Sequence, residues 1–325
     1  MALRAWVALA ALAVAHASSA APVEIKLGHV GEPGSLFALS AEEFARAANA
    51  KLGDRGRVVV YGSSQLGGDK EMLQKLKLGT LDLAIPSTVM SSEVDAFGLF
   101  EMPYLVRDRE QMKRIEADIV WPVLAPAAKT RGYEILAVWE NGFRQITNSK
   151  HPIRVPGDLK GIKLRVPEGK WRVEMFKAYG ASPSPMKLSE VFVALQTGVM
   201  DGQENPLTQT WSSKLQEVQK FLSLSSHVYT PGYLTAGAKK FASLPKEIQQ
   251  ILGEVGKATQ AYVYRTAAEQ DRDLLQKFKE AGLKVNEVDR AAFEKASQPI
   301  YEQFAKEVAN GKDLIERARK AAPRG

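Results

Sequence analysis

Two arginines and one run of amides with an acid are the side chains in this sequence with the clearest chemistry. Arg165 lies in Ile162-Lys163-Leu164-Arg165-Val166, where Ile162, Leu164 and Val166 alternate with the two cations as in a half-buried strand, and Pro167 closes the run. That alternation points a guanidinium out of the core at the strand's end. A guanidinium presents a planar fork of donors to a carboxylate. In a closed cleft the pair outweighs a lysine contact, because two aligned, charge-assisted hydrogen bonds form together. The plainer reading is a solvated arginine on an exposed sheet face. Arg144 sits in a second short alternating run, Phe143 to Thr147, and Gln203-Glu204-Asn205-Pro206 reads as a polar loop that faces the arginines.

Catalytic signatures are missing by comparison. The sequence has no cysteine, which removes disulfides, thiolate metal sites and cysteine nucleophiles together. Of its four histidines, one falls in the N-terminal apolar segment, and His29, His151 and His227 lack metal-ligand spacing. Neither HExxH nor GxSxG occurs, and nothing singles out an acid/base pair among many carboxylates. A binding module fits these residues better than an enzyme.

The elements that must position the arginines follow from periodicity. Val23 to Val30 alternates as a strand; Phe37, Ala41, Phe44 and Ala48 share a helical face ending near Gly53; Val58 to Tyr61 is a second strand. This βαβ start predicts an α/β sheet. Gly62 to Asp69 matches neither phosphate-loop pattern and reads as a turn into a helix capped at Gly68 or Asp69, with Met72, Leu73 and Leu76 buried. Leu81 to Ile85, Tyr133 to Trp139 and Phe221 to Leu224 are expected strands. Arg107 to about Lys129 is an expected helix interrupted at Trp121-Pro122. A long stripe from Ile248 through Tyr262 towards Phe278 is a helix, and His227 to Leu234 reads as a crossover between lobes.

An internal echo ties the halves together. Leu76 to Asp82 and Leu195 to Asp201 share the spacing LxxGxxD, each after an amphipathic helix. In each, glycine supplies a left-handed helix stop and the following apolar residues turn into a strand that empties into a polar loop. Ligands sit at the carboxyl ends of strands in open α/β sheets, so the echo implies two similar lobes whose loops face one cleft.

Whole-chain properties agree. Residues 1–21 carry Arg4, an apolar run from Ala5 to Ala15 and small residues at Ser18-Ser19-Ala20, the pattern of an export signal. That run is too short to span a bilayer. About 300 remaining residues exceed what one core usually serves, so two lobes are expected. The formal charge of +7 is spread over a mixed surface without a basic run of five or more, which argues against a nucleic-acid groove and for anionic small ligands.

The stretches WENGFRQITN (139–148), DLKGIKLRVP (158–167), GASPSPMKLSEVFVALQTGVMDGQENP (180–206) and YGSSQLGGDKEMLQKLKLGTLDLA (61–84) together resemble the DctP-type solute-binding proteins of tripartite ATP-independent periplasmic (TRAP) transporters. The resemblance implies a periplasmic binding protein of two α/β lobes joined by crossing segments and a long helix. Lobe I would comprise 22–142 with 231–270, and lobe II 143–230 with 271–325. It implies capture of an organic acid and delivery to small and large membrane permease subunits. Arg165 would pair with the ligand carboxylate, with Arg144 and Asn205 beside it. Gln65, Ser87, Glu168, Trp171, Leu188 and Trp211 are further candidates for the pocket, Trp171 having helix packing as its other reading.

Sialic-acid-binding members carry an acid near the position of Ser87 and an aromatic near that of Leu188. This chain has neither, so sialic acid is not expected. Members that hold keto acids through a metal differ around QENP, so neither a cation nor a cofactor is expected. Sugar acids, C4-dicarboxylates and other monocarboxylates stay open. The alternatives are a binding protein for an ATP-driven importer and a periplasmic enzyme acting on an organic acid.

Overall fold

The computed structural model describes residues 22–322; the expected export segment lies outside them. Strands β1 (Val23–Gly28), β2 (Gly56–Tyr61) and β3 (Leu83–Ala84) form the first parallel group, with β1 in the middle. The second is β5 (Lys163–Val166), flanked in parallel by β6 (Ser182–Pro185) and β7 (Gly202–Pro206). Strand β4 (Tyr133–Asn148) belongs to both halves. Its residues 133–143 pair antiparallel with β9 (Tyr229–Gly237), which borders β3, and its residues 144–148 pair antiparallel with β7 and β8 (Phe221–Leu224). An edge strand, β10 (Lys284–Glu287), lies parallel to β8.

The LxxGxxD echo has a structural basis. Gly79 and Gly198 end their helices at φ 74° and 73°, a region where a side chain is strained. Beyond them, one carboxylate oxygen of Asp82 accepts from the Lys26 N–H of β1, and one of Asp201 accepts from the Lys163 N–H of β5, both at 2.9 Å. Each aspartate thus ties the strand after its glycine to the central strand of its own half, and Arg165 stands two residues beyond the strand contact that Asp201 makes.

Two elements of the sheet differ from the sequence expectation. The two runs expected on either side of Glu140-Asn141-Gly142 form one strand. Its pairing with β9 shifts register between Glu140 and Gly142 yet continues, because β9 offers backbone partners on both sides and Gly142 takes φ 124°. The expected polar loop Gln203–Pro206 is the buried strand β7. Its low strand propensity is overridden because each polar side chain finds a partner: Gln203 donates to Thr147 at 2.8 Å, Asn205 donates to Gln203 at 2.6 Å, and Glu204 meets two arginines. Ser182–Pro185 makes β6, where proline is tolerated because the strand is an edge.

Helices cover the sheets. Lys246–Glu280 packs on the helix Leu36–Leu52 and on β4, where Trp139 Nε1 donates to the Gly256 carbonyl at 2.9 Å. A Cβ on Gly256 would stand 2.8 Å from Leu234, so the close approach requires glycine. The expected interruption at Pro122 is a π-helical segment, Glu116–Leu124. The last helix, Gly311–Lys320, expected with lobe II, is hydrogen-bonded to the first half: Gln111 donates to the Ala318 carbonyl at 2.9 Å, and Arg114 donates just past the helix end to that of Ala321 at 2.6 Å.

Candidate functional site

At the carboxyl ends of the two parallel groups the halves border a small, partly open cavity of about 40 Å³. One half contributes Asp69, Ser87, Thr88 and Asn141; the other contributes Arg144, Arg165, Leu188, Asn205 and Gln209. The lips touch where Lys187 donates to Glu71 at 2.6 Å and where Ser92 reaches the Glu168 carbonyl at 3.4 Å. A larger concavity of about 230 Å³ opens around Tyr104, Tyr301 and Arg319, but neither Arg144 nor Arg165 lines it.

Arg165 is only 3% exposed, buried rather than solvated. Its Nε and Nη2 both donate to the Met186 carbonyl, at 3.0 and 2.6 Å, which fixes the plane of the guanidinium. Nη1 has no partner among the described residues. The Nη1/Nη2 edge, the second of the fork's two bidentate faces, is therefore left for a ligand. Burial and the neighbouring Arg144 cation bring its pKa down to about 10, so it remains charged at neutral pH.

Arg144 is already engaged. Its Nε meets Glu204 Oε2 at 2.5 Å, and its Nη2 donates to Glu204 Oε1 and Asn205 Oδ1, each at 3.0 Å. Arg172 Nη1 donates to the same Glu204 oxygen at 2.5 Å and its Nη2 to Glu101 at 2.8 Å, and His227 Nε2 reaches Glu204 Oε2 at 3.0 Å. Burial opposes charge on Glu204, but Arg144, Arg172 and the His227 hydrogen bond outweigh it and hold the carboxyl well below its usual range. Burial also brings His227 down to about 4. The neutral ring then donates from Nε2 to Glu204 and accepts at Nδ1 from Ser225, 2.8 Å away. This buried network keeps Asn205 turned with its oxygen on Arg144 and its nitrogen on Gln203.

Three polar atoms at the cavity wall are buried and lack a hydrogen-bond partner among the described residues: Asp69 Oδ1, Thr88 Oγ1 and Gln209 Nε2. Asp69 is half-buried as a residue, but this oxygen is sealed. Burial pushes its pKa up to about 7; Arg165 pulls the other way and Glu168 adds to the push. Such orphaned groups cost free energy unless a ligand satisfies them.

Of the residues expected from sequence, Arg165, Arg144, Asn205, Ser87 and Leu188 come together here. Ser87 donates to the Pro231 carbonyl at 2.7 Å and receives Asn141 Nδ2 at 3.3 Å. Trp171 does not reach the cavity: it is buried against Phe304, with ring centroids 5.3 Å apart, which is the helix-packing alternative. Trp211 packs on Phe278 and borders a separate concavity. Gln65 is exposed, and Glu168 stands at the lip. Sequence reading missed Asp69, Thr88, Asn141 and Gln209 as lining. Asp69 reads from sequence only as a possible helix cap and Thr88 only as a neighbour of Ser87, and the orphaned atoms are what mark them as lining.

Comparison with known proteins gives a consistent result. Residues 27–307 match the model of DctP, bacterial extracellular solute-binding protein family 7. The chain is 32% identical over 310 residues to the 2,3-diketo-L-gulonate-binding periplasmic protein YiaO of Escherichia coli (strain K12), covering 94% of each. Among solved structures it is similar to a TRAP periplasmic solute-binding protein from Polaromonas sp. JS666 bound to D-erythronate. There the TM-score is 0.88 and the identity 31%, over 93% of this chain and 99% of that one. A TRAP periplasmic solute-binding protein from Sulfurospirillum deleyianum with bound succinate gives a TM-score of 0.88 at 32% identity, over 93% and 100%. The chain belongs to the bacterial extracellular solute-binding protein family 7, the DctP family.

Proposed function

We propose that this chain is the solute-binding component of a TRAP transporter. It is exported to the periplasm through residues 1–21, captures a small organic acid between its lobes, and hands it unaltered to the small and large membrane subunits. The observation that carries this reading is the buried Arg165 guanidinium, pinned on one edge by Met186 and open on the other into a cavity walled by both halves. A carboxylate fits that edge with two charge-assisted hydrogen bonds. Asn205, positioned by Arg144, and the Ser87 hydroxyl orient the rest of the ligand, and Leu188 covers it. The ligands of these relatives, 2,3-diketo-L-gulonate, D-erythronate and succinate, are all acids. Among the described residues no helix is long and apolar enough to cross a membrane, in keeping with a protein that meets its permease from outside the bilayer.

Closure bends β4 near Gly142 and β9 near Pro231, with 22–142, 231–270 and the last helix, bonded to Gln111, moving against 143–230 and the segment that leads from 271 to that helix. Only a ligand that touches both halves stabilises the closed form. Thermal-shift screening of the chain without residues 1–21 against acids of four to six carbons tests the reading. At saturating concentrations, about 1,000 times Kd, a bound acid adds about 4 kcal/mol and raises the melting point by several degrees. No shift with any acid, or chemical turnover of the bound acid, would overturn it.

A further inference from the structure

We infer that the site selects a hydroxylated monocarboxylate, an aldonate-like acid, and rejects dicarboxylates, with Asp69 as the discriminating residue. The inference rests on the reading above and names the substrate class for the same cavity.

It follows from the charges at the wall. Three ionisable residues line the cavity: Asp69, Arg144 and Arg165. Arg144 is neutralised by Glu204, so Arg165 is the only lining cation, among the described residues, left for a ligand. One carboxylate satisfies it. A second carboxylate on the same ligand would enter without a counter-ion, in a cavity where the opposite half presents the sealed, unpartnered oxygen of Asp69 and where Glu168 already stands close enough to bear on Asp69. Above a pH of about 7, where Asp69 is mainly a carboxylate, like charges brought together in such a site are strongly unfavourable.

Hydroxyl groups meet the opposite condition. Asp69 Oδ1 needs a donor, Gln209 Nε2 needs an acceptor, and Thr88 Oγ1 serves as either. A chain of ligand hydroxyls supplies both roles at once and reaches Asp69 and Thr88 in one half while its carboxylate rests on Arg165 in the other. An amino acid does less well: its ammonium suits Asp69 but has no lone pair for Gln209. An acid without hydroxyls, such as butyrate, leaves all three atoms unmet, and a site built around hydrogen bonds rejects such analogues strongly.

Isothermal titration calorimetry on the chain without residues 1–21 tests the inference with matched acids. At pH 8.5 D-erythronate is set against meso-tartrate, D-gluconate against D-glucarate, with L-2-aminobutyrate as the zwitterion. At least one hydroxylated monoacid is expected to bind roughly ten-fold or more tightly than its diacid partner and than L-2-aminobutyrate. Asp69→Asn should shrink the monoacid-to-diacid ratio to within about three-fold, chiefly by strengthening the diacid. Thr88→Val provides an independent arm should Asp69→Asn not fold. It is expected to weaken the hydroxy acid about five-fold or more while leaving butyrate unchanged.

A diacid or L-2-aminobutyrate that binds as well as the monoacid, or a ratio untouched by both substitutions, overturns the selectivity while leaving organic-acid capture intact. So does Arg165-dependent binding confined to acids without hydroxyls. If no acid binds, or if binding is indifferent to Arg165→Lys, the functional reading itself falls and takes the selectivity with it.

Discussion

At the scale of single residues, the site separates a guanidinium that is spent from one that is available. Arg144 and Arg172 both close on Glu204, whereas Arg165 gives only one of its edges to Met186. Arg165→Lys keeps the charge but loses the planar fork. Ligand affinity measured by calorimetry should fall roughly 10- to 100-fold with little change in melting point, in line with the loss of one or more hydrogen bonds to a charged group. Removing Glu204 does the reverse. Glu204→Gln strands two buried guanidinium groups, so urea unfolding should show a loss of about 3–5 kcal/mol.

The same network sets a pH dependence. The folded carboxyl of Glu204 is depressed, so its contribution is present above the ordinary carboxylate pKa and is lost on acidification. His227 loses its share earlier: the folded ring titrates at about 4 against 6.5 unfolded, so the folded state binds fewer protons in that window. Its stability contribution therefore falls as pH drops from 6.5 to 4. Asp69, raised to about 7, works in the opposite sense in the ligand-free protein. Because these overlap, the informative quantity is a difference. The stability deficit of His227→Gln relative to the parent should narrow steadily between pH 6.5 and 4, and a constant deficit would mean that the ring is charged when folded.

At the scale of elements, the two halves share a device that was legible before any coordinates. Gly79 and Gly198 were readable as helix stops because only a left-handed turn joins those helices to the strands that follow, and both adopt it. The role of the aspartate three residues on was not readable, since it rests on a bond to a strand over thirty residues away. Asp201→Ala should leave the Lys163 N–H short of a partner, cost about 1–3 kcal/mol in chemical unfolding, and weaken ligand binding by loosening the strand that carries Arg165. The long helix and the proline break at Pro122 were legible from apolar spacing and ring geometry.

What sequence patterns hid were elements held by partners. Gln203, Glu204 and Asn205 are poor strand formers and look like a loop until β4 and β5 are placed on either side of them. Ser182–Pro185 is a strand only because β5 accepts it as an edge. The site itself was half legible: the arginines and Asn205 lay on recognisable motifs, whereas Asp69, Thr88 and Gln209 acquire meaning only from what they fail to bond in the folded chain.

At the scale of the whole molecule, two crossing strands, a 35-residue helix and the buried Arg172–Glu101 pair join halves that border a common cavity. The Lys187–Glu71 contact at the lips is substantially exposed, with side-chain exposures of 35% and 45%. Exposed ion pairs contribute about 0.2–1 kcal/mol. Lys187→Ala should accordingly raise the ligand dissociation rate by no more than roughly five-fold in stopped-flow traces, and high salt should produce the same change in the parent. A loss as large as that of Arg165→Lys would shift the weight of closure from the cavity to its rim.

The central claim is that an acid group rests on the open edge of Arg165 inside the closed cavity. A crystal structure of the chain with its preferred acid bound measures this directly. The account predicts both carboxylate oxygens about 2.7–3.0 Å from Nη1 and Nη2 of Arg165, with residues of both halves on the ligand. A carboxylate more than about 4 Å from that guanidinium, or a ligand held by one half alone, would contradict it.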